Sequence, residues 1–77
     1  TDQEFEIARR ALQRALAAVG GNQSELARRI GTRQQYVHRM FAGRGVCKPE
    51  FVLAVERATG VPRHELRPDL YPREEAA

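Results

Sequence analysis

Glycine divides this chain into short pieces. Gly20 and Gly21, Gly31, the run Gly43-Arg44-Gly45, and Gly60 close segments in which apolar residues recur at steps of three and four, the spacing of one face of a helix. No stretch alternates apolar and polar residues as a half-buried strand does, and there is no internal repeat or low-complexity tract. The expected fold class is therefore all-α: a compact bundle of four to five short helices. A chain of 77 residues lies below the usual domain size of about 100–150, so residues 1–72 are expected to form one domain. Residues 73–77, Arg-Glu-Glu-Ala-Ala, are expected to be a disordered tail.

Each segment carries its own start and stop signals. The first helix is expected from Asp2 as N-cap through Val19, with Phe5, Ala8, Leu12, Ala15, Leu16 and Val19 facing inward. Asn22 can cap a second helix, with Glu25 three residues on as in a capping box. Leu26, Ala27 and Ile30 form its inner stripe, and Gly31 supplies the left-handed backbone for a tight exit. Thr32 to Gln35 repeats the cap signal, so a third helix is expected from Thr32 to about Ala42. On that helix Val37, Met40 and Phe41 share one side, while Gln35, His38, Arg39 and Ala42 fall opposite. Pro49 suits the first position of a fourth helix with Val52, Val55 and Ala58 inward. Pro62 opens a further turn through Leu66, after which Leu70 and Tyr71 can fold back onto the core.

Composition excludes several function classes. No run approaches the roughly 18 apolar residues of a membrane span, and the acidic opening is unlike a signal peptide. A soluble, cytoplasmic protein is expected, nucleoid-associated when bound to DNA. One cysteine, Cys47, forms no internal disulfide and belongs to no Cys/His ligand cluster, so neither metal nor cofactor is expected. Cys47, His38 and His64 are the only ready acid, base or nucleophile candidates, and a helical unit this small offers them little pocket; an enzyme is not expected. His64 is read as structural.

The net charge of +3 is mild, but its placement is not. Between Leu26 and Pro49 lie Arg28, Arg29, Arg33, Arg39, Arg44 and Lys48 with no Asp or Glu among them, flanked by segments that are acidic on balance. Such a field draws polyanions. Two short helices joined by a Gly-containing turn make a helix-turn-helix, whose second member can lie in the DNA major groove. Ala27 is small where the helices cross, Gly31 turns, and Val37 reaches back toward Leu26 and Ile30.

The segment QSELARRIGTRQQYVHRMFAG resembles the Cro/repressor-type, lambda-repressor-like helix-turn-helix, with Gln23, Leu26, Ala27, Gly31, Val37 and Met40 in matching places. The downstream VLAVERATGVPRHELRPDLYP is similar to the small prophage-borne Cro-like regulators of the YdaS type. Thr32 stands where such turns are usually apolar, and Arg33 where a small hydroxyl cap is usual; the expectation is a cap moved back to Thr32, leaving Arg33 to reach DNA. Tyr36 and His38 also replace residues that are often small.

The resemblance implies DNA-facing roles, and side-chain chemistry fills them in. Gln34 and Gln35 can pair with adenine, and Arg33 or Arg39 with guanine or a phosphate. His38 can meet a base edge or a phosphate. Gln23, at the start of the second helix, is placed for a backbone phosphate. Arg44 and Lys48 suit phosphate contact, as does the Tyr36 hydroxyl, although Tyr36 suits partial burial equally well. Arg28 and Arg29 fall beyond the groove surface, as solvent-facing or salt-bridged residues. The expected function is a sequence-specific double-stranded DNA-binding regulator, a repressor of prophage or toxin-antitoxin type, acting on an operator as a homodimer. The alternative is a protein-interaction module or antitoxin whose main partner is a protein, such as a cognate toxin.

Overall fold

The computed structural model describes residues 2–72; the tail expected at 73–77 lies outside the described residues. Five α-helices follow one another: α1 (Asp2–Ala18), α2 (Gln23–Ile30), α3 (Gln34–Ala42), α4 (Val52–Thr59) and α5 (Arg63–Leu66), with a 3-10 turn, Pro49–Phe51, leading into α4. No strand occurs among the described residues. The chain is all-α, as its apolar periodicity requires.

One core takes side chains from every helix. Leu12 and Ala15 of α1, Leu26 of α2, Val37 of α3, Val52 and Val55 of α4 and Leu66 of α5 are fully buried and belong to one apolar cluster. Burying a side chain of this kind contributes about 1.5–3 kcal/mol, so the cluster holds the helices together despite their length. An ion pair between Arg14 and Glu65 adds a link from α1 to α5 at the surface.

Two details of α1 differ from expectation. Asp2 lies inside the helix rather than before it. Phe5 is 40% exposed, whereas Ala11 is fully buried. The buried stripe runs through Ala8, Ala11, Leu12 and Ala15, and Phe5 falls a turn before it begins. Its ring lies under the Arg9 guanidinium instead, 6.0 Å from ring centre to carbon.

The junction of α2 and α3 follows from local chemistry. The Asn22 side-chain oxygen accepts the Glu25 amide at 3.1 Å, satisfying one of the free N–H groups at the start of α2. Gly31 closes α2 with φ +80°. The Thr32 amide then donates back to the Ala27 carbonyl at 2.9 Å and the Gly31 amide to Arg28 at 3.4 Å, the Schellman closure.

That closure corrects the expected start of α3. The Thr32 amide is bound back to Ala27 within the turn that closes α2, Arg33 and not Thr32 stands at the cap position, and the helix spans 34–42 rather than 32–42. Arg33 occupies the cap position in extended conformation (φ −99°, ψ 151°), and no side chain caps the helix. The Arg33 carbonyl accepts the amides of Tyr36 and Val37 at 3.0 and 3.4 Å. Val37 and Met40 are buried and Phe41 packs partly against the core, which turns the opposite side of α3 outward.

The remaining elements complete the support. Pro49 opens the 3-10 turn and not the fourth α-helix expected to begin with it, which starts at Val52, and Gly60 closes α4. Beyond α5, Tyr71 packs against the core as expected, but Leu70 does not and stays 45% exposed.

Candidate nucleic-acid interface

Gln34, Gln35, His38 and Arg39 are exposed on the outer side of α3, with Arg33 exposed just before it. Arg44 and Lys48 are exposed in the loop that follows. Among the described residues none of Arg33, Arg39, Arg44 and Lys48 forms an ion pair. The guanidinium of Arg39 lies 5.6 Å from the centre of the Tyr36 ring, within range of cation–π attraction. Tyr36 is half-buried, and its ring supplies the aromatic face beside the Arg39 guanidinium.

The loop after α3 bends these cations toward one another. The Gly43 amide donates to Arg39 and the Gly45 amide to Met40, at 2.9 and 2.8 Å, so the chain folds back over the helix end instead of leaving it. The Lys48 amide points at the Met40 sulfur, 3.3 Å away. Arg39, Arg44 and Lys48 consequently line one shallow cleft of about 220 Å³, whose floor includes Met40 and Val46. A fourth cation, Arg67, borders it. Sequence reasoning did not single out Arg67, which comes from the far end of the chain.

Gln23 stands apart from this cluster. It is half-buried as the first residue of α2, where unpaired amides face outward. Arg28 and Arg29 stand apart for another reason, because both donate to Glu25: Arg28 at 3.1 and 2.5 Å, Arg29 at 2.7 Å. These bonds, Arg28 first and Arg29 second, draw the Glu25 carboxyl down from 4.5 to about 2. The same contact raises the Arg28 guanidinium above its ordinary value. Salt-bridged arginines were expected here, and that is where the structure puts them.

The other reactive side chains lie on separate elements. Cys47 is buried, and burial pushes its thiol up to about 12 despite the opposing pull of Arg67. It is thus a thiol and a poor nucleophile at neutral pH. His38 is exposed on α3, while His64 is half-buried on α5 with its Nε2 3.9 Å from Glu65. Among the described residues no group of three His, Cys, Asp or Glu could hold a metal ion. No described helix is long and apolar enough to cross a membrane.

Compared with family models, residues 12–75 match the one described as bacterial toxin YdaS. No curated protein and no solved structure matches the chain.

Proposed function

Because the chain belongs to the family described as bacterial toxin YdaS, and because α3 turns an uncovered amide and guanidinium face outward, we propose that it is a sequence-specific double-stranded DNA-binding regulator. In this proposal α2 and α3 form a helix-turn-helix and α3 enters the major groove, which is about 12 Å wide and admits one helix. Gln34 and Gln35, in the first turn of α3, read adenine edges. Arg39 reads guanine or grips a phosphate, and Arg33 and His38 extend the contact. Arg44 and Lys48 hold the backbone beside the groove, with Gln23 on the phosphate nearest the start of α2. The outcome is occupancy of an operator, repressing a gene of prophage or toxin-antitoxin type. Two copies would sit on half-sites about 34–36 Å apart.

The observation that carries the proposal is the absence of a carboxylate partner for Arg33, Arg39, Arg44 and Lys48 among the described residues, on a face that also exposes two glutamines. Unpaired cations displace counterions from a duplex, and adjacent amides give that attraction sequence content. Selection of bound duplexes from a random pool tests it, followed by competition with excess nonspecific DNA at moderate salt. Enrichment of one sequence that survives competition is expected. Binding that vanishes with competitor would reduce the face to simple electrostatic attraction.

A second proposal gives the protein a macromolecular partner other than DNA. It is favoured by Phe5 and Ile7, 40% and 38% exposed on α1, and by Leu53 at 42% on α4. It gains if no duplex is enriched while Ile7→Ser abolishes capture of a protein encoded beside this one.

A further inference from the structure

Arg67 is tied at once to a neighbouring carboxylate and to a distant part of the chain. Its Nη1 donates to the Cys47 carbonyl at 2.9 Å, and its Nε and Nη2 donate to both carboxylate oxygens of Asp69, at 3.0 and 2.9 Å. Its backbone carbonyl accepts the amides of Leu70 and Tyr71 at 3.0 and 2.9 Å. The side chain is only 19% exposed, so this planar fork is fixed by its surroundings. Asp69 orients the guanidinium, and the guanidinium holds the main chain at Cys47. Cys47 lies immediately before Lys48 and three residues after Arg44, in the loop between α3 and the 3-10 turn.

Arg67 also stands between two clefts. One is the cleft of Arg39, Arg44 and Lys48; the other, of about 230 Å³, is bordered by Arg44, Val46, Phe5 and Asp69. Arg44 and Val46 also line both. The loop that carries the two backbone-gripping cations is therefore braced by the segment after α5 and not by its own turn alone.

We propose that Arg67, oriented by Asp69, is the positioning residue that fixes the loop of Arg44 and Lys48 for phosphate contact. This rests on the DNA-binding function proposed above. The physical reason is preorganisation. Lysine and arginine side chains on a moving loop must be ordered on binding, and a loop already held in place loses less conformational freedom. Three of the five N–H donors of Arg67 are engaged by Cys47 and Asp69, and its role in this proposal is to hold the loop and not to contact phosphate itself.

Charge alone predicts the opposite outcome, which makes the proposal testable. Asp69→Asn removes a negative charge beside Arg67 and in the cleft that Arg44 also lines, so simple electrostatics would tighten DNA binding. Loss of the brace weakens it instead. With the full chain and the duplex enriched by selection, Asp69→Asn is expected to bind about three- to tenfold more weakly. The loss should be equal for the selected and a scrambled duplex, with a flatter dependence on salt. Arg67→Lys keeps the charge but lacks the planar fork, and it should behave likewise. In both variants hydrogen exchange of the Gly45 and Lys48 amides should quicken without DNA present, while melting stays cooperative.

Unchanged or tighter binding by Asp69→Asn overturns the brace and leaves the DNA-binding function standing. Loss of preference between selected and scrambled duplexes also overturns it, since the effect would then pass through α3. If the unaltered protein enriches no duplex, the proposed function fails first and the positioning role falls with it.

Discussion

Arg28 and Arg29 on α2 and Arg39 on α3 are the same side chain on consecutive helices, in opposite surroundings. The first two are drawn onto Glu25; the third lies beside the Tyr36 ring and has no carboxylate partner among the described residues. A count of basic residues treats the three as equal, and a formal charge of +3 over the whole chain hides them all. What separates them is a single carboxylate, one turn from both arginines of α2 and paired with those two. The lesson is that a binding face is defined as much by where acidic residues are withheld as by where basic ones are placed. Arg57 marks the boundary of that lesson. It has no ion pair among the described residues, yet it lies on α4 beside Arg28 and Arg29, without glutamines around it.

The largest effect should come from breaking the frame that holds both helices. Leu26 is fully buried on α2, in the same cluster as Val37 of α3. Leu26→Ala is expected to cost about 2–5 kcal/mol, a large share of the stability of a domain this small, and urea melting should show it. Both faces would be lost together. A change below about 1 kcal/mol would mean that the junction does not depend on this contact.

Next come the side chains on which the contrast turns. Gln35→Ala or Arg39→Ala should leave melting nearly unchanged while lowering discrimination between the selected duplex and a single-base variant by about 1–3 kcal/mol. Arg29→Ala should leave that discrimination intact. If Arg29→Ala and Arg39→Ala behaved alike in competition binding, the distinction between paired and unpaired arginines would be void.

Much of this was legible beforehand, because local rules decide it. Asn22, Gly31 and Gly60 act within four residues of themselves, and each ends or begins the element expected of it, whereas Pro49 opens a 3-10 turn and α4 itself starts at Val52. The outward set on α3 followed from a 100° step and the apolar character of Val37 and Met40. What failed depended on more than one rule at once. Thr32 satisfies a helix-cap pattern, but it is also the residue that the closure of α2 must bind, and the closure prevails. Phe5 fits the apolar period, but the period does not say where the core ends. Arg67 was invisible because its partner carbonyl lies 20 residues earlier in the chain, and only the folded structure brings them together.

The turn between the two helices gives a smaller effect. At Gly31, φ is +80° and an added Cβ would meet nothing within 4 Å, so Gly31→Ala strains the backbone without a clash. A loss of about 1–2 kcal/mol is expected, read from thermal melting. The α3 face should keep its base preference in the molecules that remain folded. A stabilising result would show that α2 can end without the left-handed residue.

The smallest effect tests the paired side of the contrast directly. Glu25 is held at about 2, below its ordinary 4.5, by groups that are largely exposed to solvent. A carboxyl depressed on folding stabilises the folded chain above its unfolded value, and that contribution drains away as pH falls from about 4.5 toward 2. Glu25→Gln should therefore remove a shallow, salt-sensitive part of the acid transition and change little at neutral pH. The variant also releases Arg28 and Arg29 without adding a basic residue. If those arginines lie off the groove surface, the salt dependence of DNA binding should stay as it was. A slope steeper by about one or two units would mean that they reach the duplex once freed, and that Glu25 rather than geometry keeps α2 out of the contact.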